Sequence, residues 1–200
     1  MDSLALKVKG SGIRDGTVLE KGVVLTSEYL NSHYKKLCDV VSFFSAYPDV
    51  FLDIIKPEDQ DFTLFFYQRI ILRACMRYKE VYWTGTRATA KTFLSVLALF
   101  LQCIFMPGTK RFIVATYKVQ AAKVAKEKIL EIYKKFPLLV REVVGSEMTD
   151  EPGNFGKDYI TIKFRNGSQL DVVGGDGTRG LRREGGLLDE LRKKILKFVY

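Results

Sequence analysis

A β-forming run, Glu80–Thr84, empties into Gly85-Thr86-Arg87-Ala88-Thr89-Ala90-Lys91-Thr92, and that loop opens a 14-residue apolar stretch, Phe93–Met106, interrupted by Ser95 and Gln102. No other feature constrains the fold as strongly. A helix apolar all round has no face to offer water and must be enclosed. The stretch is also short of the roughly 20 residues of a membrane span, which predicts a buried helix and no membrane. The loop matches GxxxxGK[ST] except that Ala90 stands at the second glycine. Backbone N–H groups of such a loop face a concavity that fits phosphate, and the helix N-terminus adds partial positive charge. The reading is an ATP·Mg²⁺ loop spanning Gly85 to Thr92. Lys91 reaches the β- and γ-phosphates and the Thr92 hydroxyl ligates Mg²⁺. A positive φ at position 90 would strain alanine by about 1–2 kcal/mol.

Downstream, Arg111–Thr116 reads as a strand and Val119–Phe136 as an amphipathic helix stopped by Pro137. Strand and helix in alternation predict an α/β fold with a mainly parallel central sheet. YITIKF and SQLDVV alternate around Asn166-Gly167, which predicts an inserted β-hairpin with positive φ at both turn positions. Gly174–Gly180 reads as a loop, Gly185–Asp189 as a strand returning to the sheet, and Glu190 onward as a helix. Upstream, residues 1–25 read as a loose arm. Residues 27–56 read as helical, broken by Pro48 and ended by Pro57, and Leu64–Arg77 as a further helix. The expected division is an N-terminal arm and helical extension over 1–60 and a core over 61–200.

The run Gly186-Leu187-Leu188-Asp189-Glu190 places two carboxylates at the C-terminal edge of a strand, where open α/β sheets bind ligands. Asp189 is expected to hold Mg²⁺ through water, and Glu190 to polarise the attacking water as general base. Asp-Glu also suits a plain helix N-terminus, favoured by the dipole.

With 32 basic and 23 acidic residues the net charge is +9. That suits a polyanionic partner, or simply a solvated basic surface. Cys38, Cys75 and Cys103 lie far apart in apolar runs, without metal-ligand spacing, and are expected to be buried thiols. His33 is the only histidine, so no histidine triad or zinc site can be built around it.

Together the loop and the acid pair resemble the N-terminal ATPase domain of the terminase large subunit of tailed phages and herpesviruses. Further points carry the resemblance: Arg87 inside the loop, Tyr67-Gln68-Arg69 before the first strand, FIVATYKVQA (112–121), FRNGSQL (164–170), and GDGTRG (175–180) ahead of LLDE. It implies a P-loop NTPase of RecA-like (ASCE) type, a three-layer sandwich. It implies that Gln68 reads adenine with an aromatic stacked on the base, that Arg87 touches the γ-phosphate in cis, and that Arg179 serves a neighbouring subunit as arginine finger. Arg182 and Arg183 compete with Arg179 for that role. The implied partners are double-stranded DNA, a homo-oligomeric ring on a portal protein, and a small terminase subunit. The implied location is the host cytoplasm, outside the mature virion. Lys118 is the best DNA-contact candidate on a helix whose lysines otherwise read as solvated. The family's coupling motif and nuclease domain are not seen before Tyr200, so the core is expected to be C-terminally incomplete. Two other readings stand beside the packaging motor: a helicase-like translocase with the same core, and a nucleotide-binding module without turnover.

Overall fold

The computed structural model describes residues 17–18, 24–25, 27–59, 62–83, 86, 89–115, 118–156, 159–174, 185–189 and 196–199. The chain divides into two compact units, 1–43 and 44–200. The smaller holds a two-residue antiparallel pair, β1 (Thr17–Val18) with β2 (Val24–Leu25), and most of α1 (Ser27–Ala46). Tyr34, Leu37 and Val41 on α1 are exposed, and so is Cys38, which corrects the expectation that all three cysteines are buried. Cys75 and Cys103 are buried, and burial pushes both thiols up to about 12. Pro48 opens α2 (Pro48–Ile55) at its first turn, where a missing N–H costs nothing. This helix belongs with the larger unit, so the division falls earlier in the chain than residue 60.

The larger unit is built on one seven-stranded sheet. Its strands are β3 (Val81–Trp83), β4 (Lys110–Ala115), β5 (Asn154–Phe155), β6 (Ile160–Lys163), β7 (Gln169–Gly174), β8 (Gly185–Asp189) and β9 (Leu196–Val199), in the order β3-β9-β8-β4-β7-β6-β5. β4 pairs parallel with β7 and β8, and every other pairing is antiparallel. The sheet is therefore mixed rather than mainly parallel. The hairpin β6–β7 extends it on one side, and β9 enters between β3 and β8 on the other. A helix running on from Glu190 is corrected in part: Leu196–Val199 is a strand, and 190–195 lie outside the described residues. Leu196-Lys197-Phe198 alternates apolar and polar, and Phe198 and Val199 are strand formers. Register sets Val81, Phe198, Leu187, Ile113, Val172 and Ile160 in one apolar row across the sheet.

Alternate strand residues on that row's face, including Ile113, Leu170, Val172, Ile160, Ile162 and Leu187, share one core with the helices. The helices are α3 (Phe66–Arg77), α4 (Lys91–Phe105), α5 (Lys118–Lys135) and the short α6 (Pro137–Val140). α4 lies at the centre, with α3 and α5 beside it and β4, β7 and β8 beneath. Phe93 through Cys103 are buried without a break. Among the described residues the helices form one layer on one face, not the two outer layers of a three-layer sandwich. No described helix is long and apolar enough to cross a membrane.

The hairpin turn differs from its expected form. Only Gly167 has positive φ, 84°, and Phe164 pairs with Ser168 across a three-residue loop. The Asn166 side chain leaves the turn and reaches α4, where its Nδ2 donates to the carbonyls of Cys103 (2.8 Å) and Ile104 (3.0 Å), closing the helix's last turn. Two of the carbonyls a helix end leaves unpaired are thereby satisfied.

β8 seats close against β4. A Cβ on Gly186 would lie 2.3 Å from the Phe112 carbonyl oxygen and 2.6 Å from its ring. Gly186→Ala is expected to destabilise the fold by about 1–3 kcal/mol, read as a lowered urea midpoint. An unchanged midpoint would show that β8 does not need this close approach.

Candidate active site at the edge of the sheet

The loop after β3 reaches α4 through Ala90, the N-cap residue, at φ 55° and ψ 30°. Among the described residues it is the one non-glycine with positive φ. The strain expected from the sequence is therefore present. Strain of this kind persists only where the surrounding structure over-determines it, and it concentrates at functional sites. The Ala90 carbonyl accepts the first helical bond, from Leu94 N at 2.9 Å, and the Thr89 hydroxyl donates to the Thr86 carbonyl at 2.9 Å. Lys91 and Thr92 then form the first turn of α4, which carries no acidic residue. The exposed N–H groups of a first turn and its dipole both favour an anion there.

Beside this turn lies a cavity of about 310 Å³. Thr89 to Phe93 line it from the loop and α4, Phe62 from the segment ahead of α3, Gln68 from the first turn of α3, and Lys128 and Glu131 from α5. The structure thus brings Gln68 together with Thr89, Ala90, Lys91 and Thr92. Gln68 is buried, its Oε1 accepts from Phe65 N (3.0 Å), and its Nε2 donates to the Tyr67 hydroxyl (3.4 Å). It therefore also fixes the start of α3, as one half of a capping box. The Phe65 and Tyr67 rings stack at 6.1 Å beside it. Phe62 meets Phe93 and Phe136 edge-on, and the Lys135 ammonium sits 4.1 Å from its ring centre.

Strand direction decides where the acid pair can lie. β9 is antiparallel to both β3 and β8, so β3, β8, β4 and β7 all run the same way. The loop leaving β3 and the chain leaving β8 at Asp189 therefore emerge at the same sheet edge. Two strand spacings, about 10 Å, separate them. The Asp189 backbone ends β8, while its side chain lies outside the described residues, as do Gly85, Arg87, Ala88, Glu190, Arg179, Arg182 and Arg183 in full. Thr86 is described and exposed. A Mg²⁺ ion takes few protein ligands and keeps water and phosphate oxygens. A hydroxyl at Thr92 with a carboxylate on the same edge fits that donor chemistry. Among the described residues no group of three or more His, Cys, Asp or Glu gathers to hold a metal.

Protein-family models yield no match to this chain, and neither do curated proteins. The site therefore rests on its own residues.

Several cavity residues were not legible as such. Phe93 read as core, and Phe62 was not singled out. Lys128 and Glu131 read as part of a solvated helix, although their i,i+3 spacing puts them on one face. Lys126 and Lys135 are likewise engaged, over the Phe155 and Phe62 rings. The Lys118 side chain lies outside the described residues.

An ion network holds α3, and so Gln68, against α2. Asp49 is fully buried and takes two 2.7 Å bonds from Arg73, while Arg69 bridges Asp49 at 3.4 Å and Asp53. The Arg73 and Arg77 guanidiniums lie 5.0 and 4.7 Å from the Tyr47 ring centre. Burial pushes the Asp49 carboxyl up, but the bonds and charge of Arg73, a backbone bond and Arg69 together hold it below its ordinary 3.8. A depressed carboxyl stabilises the fold fully above its unfolded value, and that stability is lost as pH falls through the folded one.

Stability of the wild type should therefore be level above about pH 5 and decline below about pH 4, and Asp49→Asn should lower the plateau and flatten the decline in urea titrations across that range. A variant with the wild-type acid profile would remove Asp49 from that role. Ala90→Gly should keep or raise stability by up to about 1 kcal/mol, because relief of the left-handed strain offsets glycine's entropy. Ala98→Gly, inside α4, should lose about 1 kcal/mol. Equal losses at the two positions would mean that residue 90 is not left-handed in solution.

Proposed function

We propose that this chain is a P-loop ATPase domain of RecA-like type, and that it serves as the ATPase of a viral DNA-packaging motor. The observation that carries the ATPase reading is the shared cavity. Lys91 and Thr92, on the first turn of an enclosed helix, line it together with Gln68, at the sheet edge where β8 ends in Asp189. The triphosphate lies along the loop from Gly85 to the first turn of α4, with Lys91 over its β- and γ-oxygens. Thr92 and Asp189 would hold Mg²⁺, which when bound would supply positive charge to the phosphates. Glu190 takes a proton from the attacking water. Arg87 in cis and Arg179 from a neighbouring subunit stabilise charge on the transferred group. The packaging role rests on the likeness of Arg87, Gln68, FRNGSQL and TRG-then-LLDE to terminases, and on a charge of +9 suited to DNA phosphates. On this reading the motor is a ring on a portal that moves double-stranded DNA of any sequence, working in the host cytoplasm with a small subunit.

The left-handed Ala90 favours one competing reading, a module that binds nucleotide without turnover. Phosphate release by this chain at high protein concentration separates the two. Removing Glu190 as a base should cost roughly 10²–10⁴ in rate, so Glu190→Ala should fall to background. Lys91→Ala should weaken ATP binding by about ten- to hundredfold, the loss of one charge-assisted contact. Equal phosphate release by wild type and Glu190→Ala would favour the binding module. Unchanged ATP affinity in Lys91→Ala would end the ATP reading altogether.

A further inference from the structure

The α5 side of the cavity carries a pair of side chains that the loop chemistry does not use. Among the described residues Glu131 is the single acidic one lining the cavity. Its carboxylate accepts from Lys128 Nζ at 3.0 Å and lies 3.9 Å from Lys135 Nζ. The bond to Glu131 and its charge hold the Lys128 ammonium above its ordinary value, against the pull of burial. A carboxylate is repelled by phosphate and attracted to hydroxyl or amino protons, so it belongs at the end of a ligand away from the triphosphate. The phosphate end is fixed by Lys91 and Thr92. Gln68, which lines the same cavity, can still offer one amide hydrogen and one Oε1 lone pair to a base edge, since Phe65 N occupies the other lone pair and the Tyr67 hydroxyl takes the other hydrogen. What remains for Glu131 is a group that donates from two adjacent hydroxyls.

We infer that Glu131 reads the ribose of the bound nucleotide, accepting from its 2′- and 3′-hydroxyls, with Lys128 holding the carboxylate in place. This inference rests on the ATP-binding reading above. It makes the site selective for ribonucleotides, and it assigns Lys128 a positioning role. The two ammonium groups around Glu131 offset its repulsion of the triphosphate and orient its oxygens. Hydroxyl bonds to a charged acceptor contribute enough for roughly tenfold or greater discrimination.

Calorimetric titration of the full chain with the magnesium complexes of ATP, 2′-deoxy-ATP, inosine triphosphate and tripolyphosphate tests it. Wild type should bind ATP at least about tenfold more tightly than 2′-deoxy-ATP. Glu131→Gln should bring the two within about twofold and leave tripolyphosphate affinity unchanged. Lys128→Met should reduce sugar discrimination in part. Equal wild-type affinity for ATP and 2′-deoxy-ATP overturns the inference without needing any variant. So does Glu131→Gln that keeps sugar discrimination but loses preference for ATP over inosine triphosphate, since the carboxylate would then face the base. Tripolyphosphate binding in either case leaves the phosphate loop standing. Failure to bind both ATP and tripolyphosphate removes the parent reading, and this one with it.

Discussion

The unbroken burial of α4 from Phe93 to Cys103 is the constraint on which the rest of the larger unit depends. Eleven consecutive residues, Phe93 to Cys103, are withdrawn from water, and a helix can be sealed that way only if something covers every side. The apolar row of the sheet lies beneath it, α3 and α5 flank it, and Asn166 closes its C-terminal carbonyls. Each fully buried aliphatic or aromatic side chain contributes about 1.5–3 kcal/mol, so the position of this helix is strongly fixed. Its first turn is fixed with it. Lys91 and Thr92 are carried to the sheet edge by the packing of the helix that follows them.

That rigidity explains how an alanine can sit at φ 55°. The loop must turn from the end of β3 into a helix whose axis is already set. The left-handed residue takes up the mismatch, at a local cost of about 1–2 kcal/mol, against a core worth many times that. Glycine would meet the same geometry without the Cβ clash, so the strain belongs to the residue type and not to the turn.

What could be read from the sequence follows from the range of the forces involved. The apolar helix, the strands on either side of it and the Pro48 break are set by neighbours in the chain, and they were legible; at Ala90 the sequence told only what a left-handed conformation would cost, not that it is adopted. The antiparallel entry of β9 was not, because a lone LKFV segment finds its direction only from β3 and β8, which lie 113 and 7 residues away by their nearest ends. The turn at Asn166-Gly167 was legible as a turn but not by type. The asparagine side chain is drawn off to α4, more than 60 residues upstream, and a two-residue turn gives way to one that frees it. Glu131 and Lys128 look like any i,i+3 pair on a solvated helix. Only the packing of α5 beside α4 turns that pair toward the cavity.

The cavity is consequently a meeting place of three helices fixed by different means. α4 is fixed by apolar burial, α3 by core packing of Leu72 and Cys75 together with the charges of Asp49, Arg69 and Arg73, and α5 by its seat on β7 and β4. A ligand spanning Lys91, Gln68 and Glu131 would touch all three. Its binding energy would therefore add to all three attachments, the ionic contact between α2 and α3 among them. Breaking a buried charge pair costs more than making it gains, so losing either partner of the Asp49–Arg73 pair would shift Gln68 before it disturbed Lys91. On the proposed reading the two ends of the ligand would thus be held by different means, the phosphates through the packed α4 and the base through α3 and the buried Asp49–Arg73 pair.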